Sequence, residues 1–301
     1  MILVDPPAWP AHDTLWSHMV SDRSLAELHA FAAGLGIGRR AFDLDHYDIP
    51  ADRHADAVAA GAVPIGGGDL TRRLIASGLR VRGRDRAVLK ALRRRWLALR
   101  PEDHATVDDL LARWREPHRT YHSPTHLAET LAALDVLTRA EAGPPTSTGR
   151  AGTAPGTLDA ADRRTAELAL WFHDAVHDGR TPEDEDASAA LALAALGDPR
   201  VAALVRMTAR HDPDPADRAA ALVSDADLAI LGADPARYDE YTRQIRAEYA
   251  TVPDDRFRIG RRAVLEQLLD LPTLYATDEG RRRWAVRAES NLRRELGVLG
   301  S

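Results

Sequence analysis

The spacing of apolar residues divides the chain into two parts with different periodicities. Residues 1–80 combine short apolar runs, which are typical of strands, with brief helical patterns that end at glycines. The predicted strands are Ile2–Val4 and 63–65, and the predicted helices are 25–35, closed by Gly36, and 55–60, closed by Gly61. This part of the chain therefore predicts a small α/β domain.

From about residue 86 onward, apolar residues recur every three or four positions and strand patterns are absent. The helical segments are 86–99, 106–115, 124–140, 159–176, 186–196, 200–210, 235–249, 257–269 and 279–296. We expect an all-α domain of eight or nine helices over residues 86–298. The whole chain is then mainly α, with an all-helical domain preceded by a small α/β domain.

Two breaks in composition interrupt these patterns. The first lies at residues 76–86, after a run of three glycines at 66–68, and it separates the two predicted domains. The second is 143–157, a segment of Pro, Gly, Ser and Thr with almost no apolar content. That composition predicts an exposed flexible loop within the helical domain.

The overall composition, with 45% hydrophobic and 29% charged residues, is that of a soluble globular protein. No stretch approaches the roughly 20 apolar residues that span a bilayer. The first ten residues lack the pattern of a secretory signal. We expect a cytoplasmic protein with no membrane partner.

The net charge of −6 argues against a nucleic-acid scaffold. Residues 80–100 depart from this balance, with nine basic residues against Asp85 alone. Apolar residues at 88, 89, 92, 96 and 99 follow a helical spacing within the segment. The arginines therefore fit the solvated face of an amphipathic helix better than a site for nucleic acid.

The absence of cysteine excludes disulfides and thiolate metal sites. Any metal ion must be bound by His, Asp or Glu, which are ligands that suit Mn, Fe, Zn, Co or Mg. All 12 histidines lie between positions 12 and 211, and seven of them belong to the helical domain. Histidine therefore directs the search for a site.

The first histidine cluster is RTYHSPTHLAE at 119–129. His122 and His126 are four residues apart, which on a helix places both imidazoles on one face. Pro124 is tolerated only in the first turn of a helix. We therefore expect a helix that begins near Ser123, with His122 just before it and His126 in its first turns.

The second cluster is ELALWFHDAVHDG at 167–179, where His173 and Asp174 end an apolar helix. A lone His-Asp pair is more often a hydrogen-bonded core pair than a metal site. Here Asp225 and Asp227 also interrupt an apolar stretch downstream, in LVSDADLAILG. Buried unpaired carboxylates cost several kcal/mol, roughly, and a divalent cation would remove that cost for all these groups together.

The order of these residues on helices resembles the HD superfamily of metal-dependent phosphohydrolases. A narrower resemblance, to one bacterial group of predicted HD phosphohydrolases, extends over residues 86–296. Its motifs in this chain are RTYHSPTH, LALWFHDAVHD, EDEDASA, TARH, SDADLAILG and the signatures at 245–249 and 260–265. The resemblance implies a reaction class and names no substrate.

Carried over by position, the resemblance implies the metal ligands His126, His173, Asp174 and Asp227. Asp225 is the reserve candidate for the last of them. The YHxxxH arrangement is also similar to cyclic nucleotide phosphodiesterases, which implies His122 as proton donor. The group usually has Asn-Glu where this chain has Asp184-Glu185. Glu185 keeps the carboxylate of the group, but Asp184 has no side-chain amide, so any hydrogen bond that the asparagine amide donates is in doubt.

The expected reaction is metal-dependent hydrolysis of a phosphate ester or nucleotide by metal-activated water. Asp174 would bind the metal and orient the water, and His122 would protonate the leaving oxygen. Glu185 would act as general base or orient a ligand histidine. The chain is thus predicted to be an enzyme, a hydrolase that acts on ester bonds. Its expected substrate is a small phosphorylated molecule, a class to which nucleotides belong.

Arginines and a further histidine complete the candidate site. Arg119 is placed where a guanidinium could hold a phosphate, and Arg246 and Arg261 are weaker candidates of the same kind. For each arginine a salt bridge is an equally good interpretation. His211 could contact substrate or bind a second metal, whereas His177 fits a cap at the end of its helix.

Two other functions stay open at this point. One is a nucleotide-sensing or binding module that keeps the HD scaffold without turnover. The other is a di-iron oxygenase of HD type, which needs additional histidine ligands. The sequence decides neither the number of metal ions nor whether the chain forms a homo-oligomer.

Residues 1–80 also resemble a small bacterial domain of unknown function. The shared features are Val4-Asp5, Trp16-Ser17-His18, Glu27-Leu28-His29 and His46-Tyr47-Asp48. These residues, His46 and Asp48 among them, could form a second polar or metal site. They could equally form a hydrogen-bonded core in a domain with few apolar residues.

Overall fold

The computed structural model describes residues 1–141 and 159–300, and the predicted loop 143–157 lies outside them. Over the described residues the fold is mainly helical, with one small sheet near the N-terminus. This confirms the predicted fold class. The chain divides into two compact units, Met1–Arg94 and Arg95–Ser301, whereas its composition changes at residues 76–86.

The N-terminal unit is built on a five-stranded sheet. Its elements are β1 (Ile2–Val4), β2 (Trp9–Ala11), β3 (Thr14–Ser21), α1 (Leu25–Gly34), β4 (Tyr47–Pro50), α2 (Ala51–Ala59), β5 (Val63–Pro64) and α3 (Gly67–Ala76). The long strand β3 pairs antiparallel with β1, β2 and β4, while β5 pairs parallel with β1. Strand β3 is therefore the scaffold of this unit.

Side chains alternate along β3, so each face of the sheet has its own core. Met19 belongs to the cluster under α1 and α2, and Val20 packs with Leu70 and Leu74 of α3. Because residues two apart share a face, His18 lies on the same side of the sheet as α3.

The sequence predicts β1, β5, α1 and α2 but misses the other elements of this unit. In β3 the buried polar residues Ser17 and Ser21 interrupt the apolar alternation that marks a strand. Helix α3 begins within the glycine run, with Gly66 as its N-cap and Gly67 as its first residue. Glycine is a poor helix former, so the helical pattern is weak there.

The rest of the described chain contains ten α-helices, which corrects the expected eight or nine. They are α4 (Gly83–Leu99), α5 (His104–Arg113), α6 (Pro124–Glu141), α7 (Ala160–Phe172), α8 (Glu183–Leu196), α9 (Pro199–Met207), α10 (Arg218–Asp227), α11 (Pro235–Glu248), α12 (Asp254–Asp270) and α13 (Asp278–Gly300). The additional helix is α10. Its alanine-rich start carries no clear periodicity, although Asp217 caps it by accepting the N–H of Ala220.

Helices α6, α7 and α10 pack on one another in the centre of the helical unit. Their contact faces are apolar and include Leu127, Leu170 and Leu222, each fully buried. A second core, formed by residues of α11, α12 and α13 such as Tyr238, Leu265 and Leu292, closes the C-terminal side. The three central helices carry the polar residues described below.

The basic segment is part of an amphipathic helix, as predicted. In α4, Leu89, Leu92 and Trp96 are buried while most of the charged residues between them are exposed or half-buried. Arg95 is paired with Asp135 and Glu167 inside the helical unit. Among the described residues, no helix has both the length and the apolar content needed to cross a bilayer.

Candidate metal centre

Three helix ends bring the predicted ligands together. Helix α6 begins at Pro124, which places His126 in its first turn and His122 just before it, as predicted. Helix α7 ends at Phe172, so that His173 is its C-cap and Asp174 follows directly. Asp227 is the last residue of α10. Because these three helices pack together, the side chains at their ends converge.

Ligand atoms of His126, His173 and Asp227 all lie within 4.8 Å of one another, and Asp174 is close to the two histidines. His126 Nε2 is 3.2 Å from His173 Nε2 and 3.2 Å from Asp227 Oδ1. Asp174 Oδ2 is 3.1 Å from His173 Nε2 and 3.6 Å from His126 Nε2. Asp227 Oδ1 lies 3.4 Å from His173 Nε2.

These separations suit a single metal ion. Ligand atoms about 2.1 Å from one ion are about 3.0 Å apart in octahedral geometry and about 3.4 Å apart in tetrahedral geometry. Four of the five observed separations, 3.1 to 3.4 Å, lie in this range, and the one between His126 and Asp174 is slightly longer at 3.6 Å. The nitrogen and oxygen donors are also the ligands that divalent first-row metals accept.

The imidazoles are held in the orientation that a metal site needs. His173 Nδ1 is 2.8 Å from the carbonyl oxygen of Leu170. A carbonyl can only accept, so Nδ1 carries a proton and Nε2 is the nitrogen turned towards the carboxylates, where a metal ion would take the place of a second proton. Trp114 packs beside both histidine rings, at 5.4 Å from His173 and 6.1 Å from His126. The carboxylate side chains of Asp174 and Asp227 are each 16% exposed, so the centre has an accessible face.

The electrostatics of the four groups favour a cation. Burial disfavours the charged carboxylates, but the neighbouring His173 and His126 hold the pKa of Asp174 and Asp227 below the usual range. Burial also disfavours protonated imidazoles, yet the two carboxylates raise the pKa of His126 and His173. The carboxylates therefore stay ionised at neutral pH and attract a positive charge to the space between the four groups.

A second group of side chains lies beside this centre. The ring of His122 is 5.7 Å from that of His126 and stacks at 3.9 Å on that of His177. Glu248 Oε2 lies 2.7 Å from His122 Nδ1 and 3.7 Å from His177 Nε2. His177 is therefore part of the site. The predicted helix-end cap is wrong, because α7 ends five residues before His177.

Glu248 is the residue of the site that sequence reasoning did not single out. Its Oε1 accepts the backbone N–H groups of Thr120, Tyr121 and His122 at 2.6, 2.7 and 2.8 Å. Burial works against its charge, but the hydrogen bonds from His122 and His177 lower the pKa of Glu248. The available signal was the signature at 245–249, where this acid precedes a tyrosine.

The two acids at the start of α8 have separate roles. Asp184 is buried and accepts the N–H groups of Asp178 and Arg180 at 2.7 and 2.8 Å. An acceptor suffices there, which accounts for aspartate where the resembled group has asparagine. Glu185 accepts from Thr181 at 3.0 Å, and its buried Oε2 has no hydrogen-bond partner among the described residues. Burial, together with the charge of Asp174, raises the pKa of Glu185.

His211 and the two candidate aspartates fall into different environments. His211 Nε2 lies 3.6 Å from Asp227 Oδ2, the oxygen that faces away from the four-atom cluster, and His211 Nδ1 is 3.2 Å from Ser224 Oγ. Asp225 instead accepts three hydrogen bonds, from the N–H groups of Ala276 and Thr277 and from the Thr277 hydroxyl. The carboxylate oxygens of Asp225 are thus occupied by hydrogen bonds from the segment that precedes α13, which favours Asp227 as the last ligand.

The structure corrects the role expected for Arg119. Its guanidinium donates to the carbonyl oxygens of Asp174 at 2.6 Å and Ala175 at 3.1 Å, and to Glu116 at 3.0 Å. A further bond reaches the carbonyl of His122, and the side chain is 0% exposed. With its donors used and its side chain buried, Arg119 has no group free for a phosphate in this structure, and it holds the loop before α6 against the end of α7.

The other two arginines also form structural contacts. Arg246 donates to the carbonyls of Tyr249 and Val252 and pairs with Asp254, which fixes the connection between α11 and α12. The buried Arg261 pairs with Glu295 at 2.7 and 3.1 Å in the C-terminal core. The salt-bridge interpretation therefore holds for both, and neither donates to a group of the metal centre.

Comparison with known proteins bears on the N-terminal unit. Residues 2–77, from β1 to the end of α3, match the family model described as a protein of unknown function, DUF4031. No curated protein matches the chain, and no solved structure does. The resemblance of residues 1–80 to a domain of unknown function is thus supported, and the HD resemblance of the helical unit stays a prediction.

Proposed function

We propose that the helical unit is a metal-dependent phosphohydrolase of the HD type, acting on a small phosphate ester or a nucleotide. The observation that carries the proposal is the convergence of His126, His173, Asp174 and Asp227. These residues come from three separate helix ends, and the two imidazole Nε2 atoms lie 3.1 to 3.6 Å from each other and from the two carboxylates. A hydrogen-bonded polar core would not need two imidazole nitrogens 3.2 Å apart with both facing the same two carboxylates.

The bound cation would supply an acidified water and neutralise the charge of the phosphoryl group. The chain contributes two carboxylates that remain ionised, Asp174 and Asp227, each with an accessible edge at which a phosphate and a water can meet. Glu185 lies close enough for the charge of Asp174 to raise its pKa. A carboxyl group with a raised pKa and an unused oxygen is suited to take up a proton from the attacking water.

His122 is the candidate proton donor to the leaving oxygen. Its Nδ1 faces a carboxylate that stays ionised, so the proton on Nδ1 is fixed and Nε2 is the nitrogen that can exchange with substrate. Burial lowers the pKa of His122, and Glu248 acts against this shift by stabilising the protonated imidazole, in the manner of a base oriented by a third group. This pairing supports turnover over a sensing module, because binding alone does not need an oriented acid.

The test compares metal content and phosphate release in matched variants of the full chain. His173→Ala and Asp227→Asn each remove one ligand, and Asp212→Asn, an exposed carboxylate next to His211, is the control. We expect the wild type and the control to hold metal after supply of Mn, Fe, Zn, Co or Mg. Both should release phosphate from a panel of phosphate esters and nucleotides, whereas the two ligand variants should release none and should bind about one equivalent of metal less.

Two other results would change the proposal. If the wild-type protein binds no divalent metal, the proposal is overturned, and the four residues are then a hydrogen-bonded polar core. Protein that binds metal and a nucleotide tightly, without releasing phosphate from any ester, would favour the sensing module. Iron content with oxygen consumption would instead indicate the di-iron oxygenase, for which His177 and His211 are the additional histidines.

A further inference from the structure

The N-terminal unit contains a cavity of about 490 Å³ on the face of the sheet that α3 covers. Polar residues dominate one wall, among them Asp5, His18, His46 and Asp48. None of these residues belongs to the helical unit or to its metal centre. The polar lining of the cavity is therefore separate from the candidate metal centre.

The strand register brings two of these side chains together. His18 of β3 is directly opposite Asp48 of β4, and His46 immediately precedes β4. Asp48 Oδ1 is 3.4 Å from His46 Nε2 and 3.8 Å from His18 Nε2. The two imidazole rings are 5.1 Å apart and nearly perpendicular, so both Nε2 atoms face the same carboxylate.

Each imidazole is fixed through its other nitrogen. His18 Nδ1 lies 2.9 Å from Asp5 Oδ2, and His46 Nδ1 lies 2.6 Å from Asp45 Oδ1. Carboxylates accept, so both Nδ1 atoms carry a proton, and each Nε2 is the nitrogen left to interact with Asp48 or with a ligand. A carboxylate behind a histidine is the arrangement that orients imidazole ligands in metal sites.

The two supporting carboxylates are themselves held in place. Asp5 is buried and also accepts the backbone N–H of His18. Asp45 is fully buried, accepts the N–H of Val81 at 2.7 Å and lies 3.3 Å from Arg86. The positions of both imidazoles are therefore determined before any ligand arrives, which lowers the cost of binding.

A hydrogen-bonded polar core explains this arrangement less well. Hydrogen bonds in such a core would join the three side chains directly, but His18 Nε2 is 3.8 Å from Asp48 Oδ1, which is too far for a hydrogen bond. The side chains also do not fill the space, because that of His18 is 30% exposed and that of Asp48 is 42% exposed. Two nitrogens and one oxygen within 4.8 Å of one another instead form a set that could hold a metal.

We propose that His18, His46 and Asp48 bind a divalent first-row transition metal ion, with coordination positions left open towards the cavity. Three protein ligands with open positions are typical of sites that do chemistry or receive a further ligand, whereas structural sites are closed. Two histidines and one carboxylate select such metals over Ca²⁺ or Mg²⁺, which prefer oxygen. This site is independent of the phosphohydrolase proposal, since it shares no residue with it.

The test is a Co²⁺ titration of the chelator-treated full chain, followed by visible absorption and equilibrium dialysis. Asp48→Ala is the main variant, because a half-exposed side chain can be removed without disturbing the core. His46→Ala is the second, and His12→Ala, an exposed histidine of the same unit, is the control. The first two should each bind about one equivalent less than the wild type, and the control should bind as the wild type does.

The Asp227→Asn variant separates this site from the metal centre of the helical unit. It should still bind the Co²⁺ equivalent that depends on Asp48, and the double variant Asp48→Ala/Asp227→Asn should lose this equivalent as well. Equal uptake by the wild type, Asp48→Ala and His46→Ala would overturn the proposal, whatever the outcome at Asp227.

A second readout needs no change to the ligands. The ring of Trp9 lies 5.3 Å from that of His18, so Co²⁺ bound at the site should broaden the NMR signal of the Trp9 indole N–H. The signal is assigned by Trp9→Phe, and the measurement is made in Asp227→Asn protein. An indole signal that stays sharp at saturating Co²⁺ would contradict the site.

Discussion

Glu248 is joined to His122 twice, through Oε2 to the imidazole Nδ1 at 2.7 Å and through Oε1 to the backbone N–H at 2.8 Å. The same carboxylate thus sets the position of the residue and the tautomer of its ring. Glu248 ends α11 and His122 precedes α6, so the bond also links two helices that are distant in sequence. The geometry of one end of the site therefore depends on this single acid.

Replacement of Glu248 by glutamine should lower the hydrolytic rate more than it lowers stability. An amide cannot stabilise the protonated imidazole of His122, so less of the acid form is present at neutral pH. We expect the rate at neutral pH to fall by about 10²-fold, within the range that general acid catalysis contributes. The pH above which the rate declines should also move downward.

Glu240→Gln, an exposed change on the same helix, is the control and should leave both quantities unchanged. The imidazole nitrogen signals of His122, followed by NMR, report the tautomer directly. A rate and a pH profile equal to those of the wild type would remove His122 from the proposed mechanism.

Arg119→Lys should destabilise the fold. A lysine ammonium cannot reach the carbonyls of Asp174 and Ala175 and the carboxylate of Glu116 at the same time, so buried acceptors lose their partners. We expect a loss of about 1–3 kcal/mol in the free energy of unfolding, measured by urea denaturation. Arg113→Lys, in an exposed pair with Asp109, should change it by less than about 0.5 kcal/mol.

The opposite outcome for Arg119 is equally clear. A variant with wild-type stability but with a large rise in KM for a phosphate ester would restore the phosphate-binding role that the sequence suggests. The observed burial of the guanidinium argues against that result.

The contrast between Arg119 and the metal ligands shows what the sequence can predict. His173 and Asp174 stand out because they are polar residues on an otherwise apolar helix, which is a local property. The partners of Arg119, in contrast, are carbonyl groups 55 and 56 residues away along the chain. Residue type gives the chemistry of a guanidinium, but tertiary packing decides what it binds.

Glu248 and α10 were missed for related reasons. An acid on a charged helix such as α11 has the same appearance whether it faces solvent or a histidine, so its pairing with His122 needs the fold. Helix α10 begins with a run of alanines, and without alternation between apolar and polar residues its period cannot be read. The helices with mixed faces, such as α4 and α6, were predicted closely.

Asp225 and Asp227 should separate stability from metal binding. In Asp225→Asn an amide N–H replaces one carboxylate oxygen and faces the backbone N–H of Ala276 or Thr277, so that donor loses its acceptor. The free energy of unfolding should fall by about 1–3 kcal/mol. Its metal content should stay that of the wild type. Asp227→Asn should lose the metal of the helical unit, as measured by elemental analysis after chelation and reloading.

The converse would exchange the roles of the two acids. If Asp225→Asn lost metal at wild-type stability while Asp227→Asn kept it, Asp225 would be the ligand and the arrangement of the three helix ends would need revision.

The pKa of Glu248 makes stability depend on pH in a defined direction. Burial raises the pKa, but the hydrogen bonds of His122 and His177 outweigh it, so the folded value lies below the usual 4.5. A carboxyl group of this kind contributes stability that is fully present above its unfolded pKa and is lost as the pH falls towards the folded value. The free energy of unfolding should therefore decline below about pH 4.5, with a slope of up to about 1.4 kcal/mol per pH unit from this proton.

The measurement is urea unfolding of chelator-treated wild type, Glu248→Gln and Glu240→Gln between pH 3 and pH 6. Glutamine does not titrate, so the stability difference between wild type and Glu248→Gln should shrink as the pH falls, whereas that for Glu240→Gln should change little. A difference for Glu248→Gln that stays constant over this range would mean that the carboxyl group has the same pKa in both states. The hydrogen bonds from His122 and His177 would then not favour the ionised form of Glu248, which would contradict the pairing on which the proposed role of His122 depends.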